Sequence, residues 1–396
     1  MRLLMACMQF PTEPGHAYLT TELARALVEA GHEVEVLHLD WNAAPEATEQ
    51  APKVWNGVRV VRCTSRWLDG FGGLVRNVSK FVLSGRHAAR AARDHLDLER
   101  FDVLITWAPA VAMAPLIRRV RRAGIARRLL IIWDFFPDHY HQIGRIPGGP
   151  TLWIAKAWEQ RLMGDFTAIL CTLPQNVAYL RRHFRVAPGQ KTRAMLTWAD
   201  VKPPPPADRA SVRRAHGLPE QGPIAVFGGK LVEGRGFDQM LAAAEAGRRA
   251  GSALTFLFVG DGRLAPLVRA QAEAHANVLW RPALPYDAYL ELLGACDVGL
   301  VATVPGVTSF STPAKTLDYL RADLPVVAAI EPGSDLATLL ERYGVGRAVA
   351  YGDAVGFLQA AEQLVAGPDV ANAARRCLDE VFHVRHAVAA IMEAAA

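Results

Sequence analysis

The feature that most constrains the fold is a repeated alternation between short apolar runs of strand length and segments whose apolar residues recur at helical spacing. Residues 2–8 form an apolar run, 17–30 carry apolar residues every three or four positions, Gly31 closes that segment, and 33–39 is the next run. Strand, helix and strand joined by short connections bury both faces only as a parallel sheet covered on each side. Further strands are predicted at 58–63, 102–107, 128–133, 168–172 and 194–198. The four prolines at 203–206 are too stiff and too poor in N–H donors for either element. The alternation then restarts at 224–227 and continues through 254–259, 278–280, 298–302 and 326–330. The expected class is α/β, with two doubly wound domains joined by a linker.

A chain of 396 residues is long enough for two such domains, each with a substantial core. Its 51% apolar and 21% charged residues match a soluble globular protein. Cys7, Cys63, Cys171, Cys296 and Cys377 are scattered and never form a C-x-x-C pair, so neither a disulfide framework nor a zinc site is expected, and a reducing cytoplasm fits. The longest apolar run, 103–117, is interrupted by Pro109 and Pro115 and falls short of the roughly 20 residues needed to span a bilayer. The opening M-R-L-L-M-A-C-M has no small-residue cleavage site after it and is read as a first buried strand.

In open parallel sheets ligands bind beyond the carboxyl ends of the strands, so the loops that follow the strands carry the chemistry. After the first strand, Gly15 allows close backbone approach to a ligand, and His16 stands just before a helix start. After 128–133 comes D-F-F-P-D-H-Y-H, which gathers Asp134, Asp138, His139 and His141 without the spacing of a metal site. These groups suit a sugar pocket, and equally a solvated loop. The first strand of the second half opens into F-G-G-K-L-V-E-G-R-G, where Gly228 and Gly229 permit a tight turn and Lys230 and Arg235 bracket the loop. Two cations on one glycine-rich loop suit a pyrophosphate, although the P-loop pattern is absent.

Residues 308–324 read as a loop turning directly into a helix, with Thr312 as N-cap and Pro313 in the first helical position. Such a helix start suits an anion, and Lys315 and Asp318 fall on one face behind it, able to hold a diphosphate and a sugar diol. Taken alone, the segment fits a capped surface helix with a solvated Lys and Asp better than a ligand site. The rival signal is G-x-G-x-x-A from Gly260 to Ala265, which would mark dinucleotide binding. It follows the second strand of its domain, and no acid ends the next strand, where Arg281 follows Trp280. A tight strand-to-helix turn is therefore expected there, with an NAD-dependent dehydrogenase as the alternative.

Gly15 before the first helix, A-L-V-E-A-G-H-E-V-E-V at 26–36, G-K-L-V-E-G-R-G at 229–236, V-G-D-G at 259–262 and S-T-P-A-K-T-L-D-Y-L-R-A-D-L-P-V-V-A at 311–328 together resemble glycosyltransferase family 4, retaining enzymes of GT-B fold. The resemblance covers nearly the whole chain. It implies two Rossmann-like domains facing each other across a cleft: 1–202 for the acceptor, 203–375 for the nucleotide sugar, and a terminal helix within 376–396 returning to the first. It implies that Lys230 and Arg235 contact the donor diphosphate and that Asp318, the second acid of the family's E-x7-E motif, holds the ribose. Gly15, Gly229, Ser311, Thr312, Pro313 and Lys315 complete the implied donor site, and His16, Asp134, Asp138 and Phe310 the acceptor or sugar pocket. Asp134 joins Lys230 and Arg235 as a candidate catalytic group. The chain departs from the motif at the first acid, where Phe310 stands, which puts the usual donor-sugar contact in question. The S-T-P-A-K variant and D-F-F-P-D at 134–138 resemble the subgroup that builds bacterial surface polysaccharides on lipid carriers.

Charge adds an independent indication. Between 59 and 128 there are 15 Lys and Arg against 5 Asp and Glu, a local excess of +10 in a chain of net +5. A helix over 74–93 would set Arg76, Lys80, Arg86, Arg90 and Arg93 on one arc and Leu74, Val78, Phe81, Val82 and Ala89 on the other, with Trp67, Phe71 and Gly72 upstream as a dipping loop. That pattern fits an anionic membrane surface, and also an ordinary helix packed on its own domain. No base-stacking array accompanies the charge, so nucleic acid is not expected. The expected activity is transfer of a hexosyl or N-acetylhexosaminyl group from a nucleotide-diphosphate sugar, UDP-sugar favoured, to a lipid-linked or glycan acceptor, at the inner face of the cytoplasmic membrane. No D-x-D motif is present, and no metal or other cofactor is expected. The alternative from another class is a non-catalytic nucleotide-sugar-binding protein.

Overall fold

A computed structural model describes residues 1–13, 18–41, 51–64, 73–199, 201, 208–304, 313–331 and 333–396, and in the helix Gly73–His95 the side chains of Ser79, Phe81 and those from Leu83 onward. Outside the described residues lie Gly15, His16, Phe310, Ser311, Thr312, the prolines 203–206, Trp67, Phe71 and Gly72, and the side chains of Leu74, Arg76, Val78, Lys80 and Val82. The chain divides into two compact units. The first holds Met1–Trp198 and Val384–Ala396, and the second lies between Ala199 and His383.

The first unit is built on eight strands: β1 (Arg2–Cys7), β2 (Glu33–Asp40), β3 (Lys53–Trp55), β4 (Val58–Thr64), β5 (Val103–Trp107), β6 (Arg127–Ile132), β7 (Ala168–Cys171) and β8 (Lys191–Ala194). Their order is β3-β4-β2-β1-β5-β6-β7-β8, parallel except where β3 meets β4. Successive side chains of a strand point to opposite faces, so β1 sends Leu4 and Ala6 into one core and Leu3, Met5 and Cys7 into the other. The closing helix Val384–Ala395 places Val384, Ala387, Ala390 and Ile391 in that second core, so the chain's last turns belong to the first unit.

The second unit carries β9 (Ile224–Gly228), β10 (Thr255–Val259), β11 (Val278–Arg281), β12 (Val298–Ala302), β13 (Val326–Ala329) and β14 (Gly346–Val349), in the order β11-β10-β9-β12-β13-β14 and all parallel. Chain order reverses between β9 and β12. In doubly wound sheets ligands bind where the order reverses, beyond the carboxyl ends of the strands.

Three strands differ from expectation. The strand expected at 194–198 is β8, Lys191–Ala194; it is an edge strand with Lys191 and Arg193 exposed, so it has no apolar run, while Met195 and Trp198 are buried beyond its end. β3 was not expected, although Asn56 (φ 45°) and Gly57 (φ 79°) form the N-G turn that joins it to β4 in a hairpin. β14, a short edge strand, was also missed. All five cysteines are free and buried. Among the described residues no helix is long and apolar enough to cross a membrane.

Candidate functional site

The loop leaving β9 is built by close backbone contact with the loop leaving β10. The Gly229 N–H donates to the Val259 carbonyl (2.9 Å), Leu231 N–H to Asp261 (3.0 Å) and Leu264 N–H to Leu231 (2.9 Å). At Gly260 φ is +147°, and a Cβ there would overlap the Gly229 carbonyl oxygen; one on Gly262 would overlap that of Leu231. These glycines serve loop-on-loop packing, and the Asp261 carboxylate caps the Ala283 N–H (3.0 Å). The G-x-G-x-x-A segment is thus the tight strand-to-helix turn, leading into the helix Ala265–Ala274.

This packing presents Lys230 and Arg235 outward. Both are exposed, and neither has a hydrogen-bond or ion-pair partner among the described residues. Behind them the helix Ala314–Arg321 brings in a third cation. Its N-cap is Pro313, with ψ 120°, so the helix starts one residue later than expected: an extended ψ keeps Pro313 out of the first turn. Lys315 Nζ lies 4.4 Å over the Phe227 ring and 4.0 Å from where a Gly229 side chain would begin. Burial, then the nearby Arg235 charge, pushes its ammonium down to about 7, with Asp318 opposing. Cations without partners beside a lysine already half inclined to lose its proton leave this loop short of negative charge.

Asp318 sits one turn further on. Tyr286 donates its hydroxyl to Oδ1 (2.6 Å) and accepts from Arg321 Nη1 (2.8 Å). Burial still raises the carboxyl to about 6, against the pull of Tyr286, Arg321 and Lys315. Tyr319, on the same helix, accepts from Gly228 N–H (3.1 Å) and donates to the Leu300 carbonyl (3.2 Å), pinning the helix to β9 and β12. Tyr286, Tyr319 and Arg321 escaped sequence reading because their partners lie tens of residues away, with no local pattern.

The structure thus brings Gly229, Lys230, Arg235, Pro313, Lys315 and Asp318 together in the second unit. In the first unit, Asp138 is buried and its Oδ2 is held by Lys156 Nζ (2.7 Å) and the Tyr179 hydroxyl (2.9 Å), so its charge is already neutralised. Asp134 is half-buried at the end of β6. His141 Nδ1 is bonded to the Ile146 carbonyl (2.9 Å). Among the described residues no cluster of three or more His, Cys, Asp and Glu is arranged to hold a metal ion.

A cavity of about 240 Å³ that sequence reading did not single out lies at the carboxyl ends of β1, β2 and β4, lined by Gln9, Phe10, Pro11, Thr12, Glu13, Tyr18, His38, Asp40 and Arg62. Arg62 Nε donates to Asp40 Oδ2 (3.0 Å). Burial pushes His38 down to about 4, so its imidazole is neutral at pH 7. The signal available was H-L-D at a strand's end. On the basic helix Gly73–His95, Arg86, Arg90 and Arg93 are exposed, while Ala88, Ala91 and Ala92 are buried in the unit's own core. Phe81 and Ala89 pack against the same core, so the described part of the apolar face is occupied by its own domain.

Residues 15–198 match the Glycosyl transferase 4-like domain, and residues 222–367 match Glycosyl transferases group 1. The probable glycosyltransferase WbjE of Pseudomonas aeruginosa is 23% identical over 287 residues, 69% of this chain and 67% of that protein. The putative colanic acid biosynthesis glycosyl transferase WcaI of Escherichia coli K12 is 24% identical over 362 residues, 87% of this chain and 86% of that one. Anabaena HepE, solved in complex with UDP, superposes with a TM-score of 0.67 at 14% identity, covering 99% of each chain. With two parallel Rossmann-like sheets and both matched domains in order, the chain belongs to the GT-B glycosyltransferases of family 4 type, enzymes that transfer sugars.

Proposed function

We propose that the protein is a retaining transferase that moves a hexosyl or N-acetylhexosaminyl group from a nucleotide-diphosphate sugar, UDP-sugar favoured, to a lipid-linked or polysaccharide acceptor in bacterial cell-surface glycan synthesis. The observation that carries this reading is the uncompensated charge of Lys230 and Arg235 on a glycine-tightened loop at the switch point of the second sheet, with Lys315 behind it. A diphosphate supplies the missing negative charge, and the cations stabilise it as it departs from the sugar. Asp318, one oxygen held by Tyr286, offers the other to a ribose hydroxyl. The UDP found in the similar HepE and the polysaccharide named for the similar WcaI support the donor and acceptor classes.

The first unit takes the acceptor. Its cavity at His38, Asp40 and Arg62 has room for about one sugar ring, less than the roughly 300–1,000 Å³ of a drug-sized pocket. Asp134 is the candidate catalytic group of the first unit in this reading, no side chain serves as nucleophile, and the departing phosphate assists the acceptor hydroxyl. No metal is required, since cationic side chains do its electrostatic work. Exposed Arg86, Arg90, Arg118 and Arg122 draw the protein to the inner, anionic face of the cytoplasmic membrane, where a lipid-linked acceptor resides.

A thermal-shift panel of nucleotides and nucleotide sugars tests the donor, because a ligand at 100 times its Kd adds roughly 2.7 kcal/mol of stability. NMR of the product made with the stabilising donor then reads the anomer. Retention of the donor's configuration is expected. An inverted anomer removes the retaining mechanism, and a panel in which no nucleotide diphosphate stabilises the protein removes the donor site.

A further inference from the structure

The helix Pro150–Met163 has two apolar faces, and only one of them is covered. Its inner side sends Leu162 and Met163 into the core of the first unit, with Ala155 and Trp158 packed against it. Its outer side carries Pro150, Trp153, Ile154 and Ala157, all exposed, at the i, i+3, i+4, i+7 spacing of a single stripe. Trp153 is 72% and Ile154 59% exposed, the one adjacent pair of large exposed apolar side chains among the described residues. Single exposed apolar residues are ordinary, but a stripe with a tryptophan on a helix that already has its core face marks a contact surface.

The charge around the stripe selects its occupant. No acid occurs between 139 and 158, while Arg145 and Arg161 flank the stripe and are exposed. The buried Glu159 accepts from the Ala110 and Val111 N–H groups (2.7 and 2.9 Å). It thereby fixes the covered side of this helix, opposite the stripe, to the turn that leads into the helix Ala114–Arg122. Two large side chains cannot supply the roughly 800 Å² per partner of a standard protein interface. They do suit the shallow burial of an apolar helix face in the headgroup region of a bilayer, with the exposed Arg161, one turn beyond Ala157 on the same side, for anionic lipid.

We infer that Trp153 and Ile154 form an apolar anchor that inserts into an anionic membrane surface and adds a salt-resistant component to the electrostatic attachment. The inference deepens the membrane part of the proposed function and rests on that reading only for its purpose.

The test is flotation with vesicles of phosphatidylcholine alone or mixed with phosphatidylglycerol, at low salt and at about 0.5 M, where the Debye length is well under 10 Å. The wild type should stay bound to the mixed vesicles at high salt. The variant carrying Trp153→Ser and Ile154→Ser should lose that salt-resistant fraction and partition about tenfold or more weakly, as expected when two large apolar groups are removed. Trp153→Phe should still bind, but with less fluorescence quenching by brominated lipid than the wild type. Equal binding of the double variant and wild type, unchanged quenching in Trp153→Phe, or no vesicle binding by the wild type would overturn the anchor. So would a vesicle-free wild-type dimer that the double variant lacks, since the stripe would then be a self-association surface. Calorimetric titration of the double variant with UDP separates the two ideas: the donor site should be untouched, and absent UDP binding in both proteins would count against the donor reading alone.

Discussion

The two units share one architecture and use charge in opposite ways. At the carboxyl ends of the strands of the first, charges come paired: Asp40 with Arg62 and Asp138 with Lys156. At the switch point of the second, Lys230 and Arg235 have no partner among the described residues, and Lys315 is pushed toward neutrality beside them. A paired surface presents hydrogen-bonding groups of little net charge, which suits a neutral polyhydroxylated ligand. An unpaired cationic loop awaits an anion. On the proposed function, the donor side of this protein is the one that leaves its charge uncompensated.

The largest expected effect lies in the packing that holds the cationic loop. Gly260→Ala sets a Cβ against the Gly229 carbonyl, in backbone that cannot easily move, and should destabilise the protein by about 3 kcal/mol or more in urea denaturation. Gly31→Ala, also at positive φ but with open space around it, should cost only about 1 kcal/mol. Equal costs would mean that the two glycine loops are not packed as described.

The next contrast sets a paired charge against an unpaired one. Lys156→Met leaves the buried Asp138 carboxylate without its cation and should lower stability by roughly 2 kcal/mol while sparing nucleotide affinity. If Lys156→Met weakened nucleotide binding with stability intact, the division of roles between the units would fail.

Protonation sharpens the comparison further. With Lys315 near 7 in the free protein, a bound diphosphate favours the ammonium and raises that value in the complex. Affinity for a nucleoside diphosphate should then be steady just below pH 7. It should fall by up to about tenfold per unit as pH rises between the free and complexed values. Asp318, at about 6, should weaken ribose binding below that pH as it becomes protonated. Lys315→Arg should flatten the alkaline limb; an unchanged limb would separate Lys315 from the diphosphate. The smallest effect is the absence of one: excess chelator should leave transfer intact, and a strict requirement for Mg²⁺ or Mn²⁺ would mean that the cations alone do not carry the leaving group.

Much of this was legible because doubly wound sheets write themselves as local pattern. Buried parallel strands such as β1, β9 and β12 are continuous apolar runs, and glycine with lysine and arginine after β9 is a local signal. Edge strands are not: β8 shows alternating Lys191 and Arg193, and β14 carries the exposed Arg347 in place of an apolar run. The pairing of Asp138 with Lys156 and Tyr179, the Tyr286 bond to Asp318 and the cavity at His38 and Arg62 join residues far apart in sequence. Spacing carries no trace of such contacts. The one-residue slip at Pro313 is a matter of ψ, which composition does not set.

Calorimetric titration of a nucleoside diphosphate into the wild type, Lys230→Ala and Arg235→Ala tests the central claim most directly. Each substitution should weaken binding by roughly 2 kcal/mol, the scale of a lost charged hydrogen bond, with unfolding midpoints unchanged. Unaltered affinity in both variants would contradict the account, because the uncompensated charge of this loop would then have no part in holding the donor.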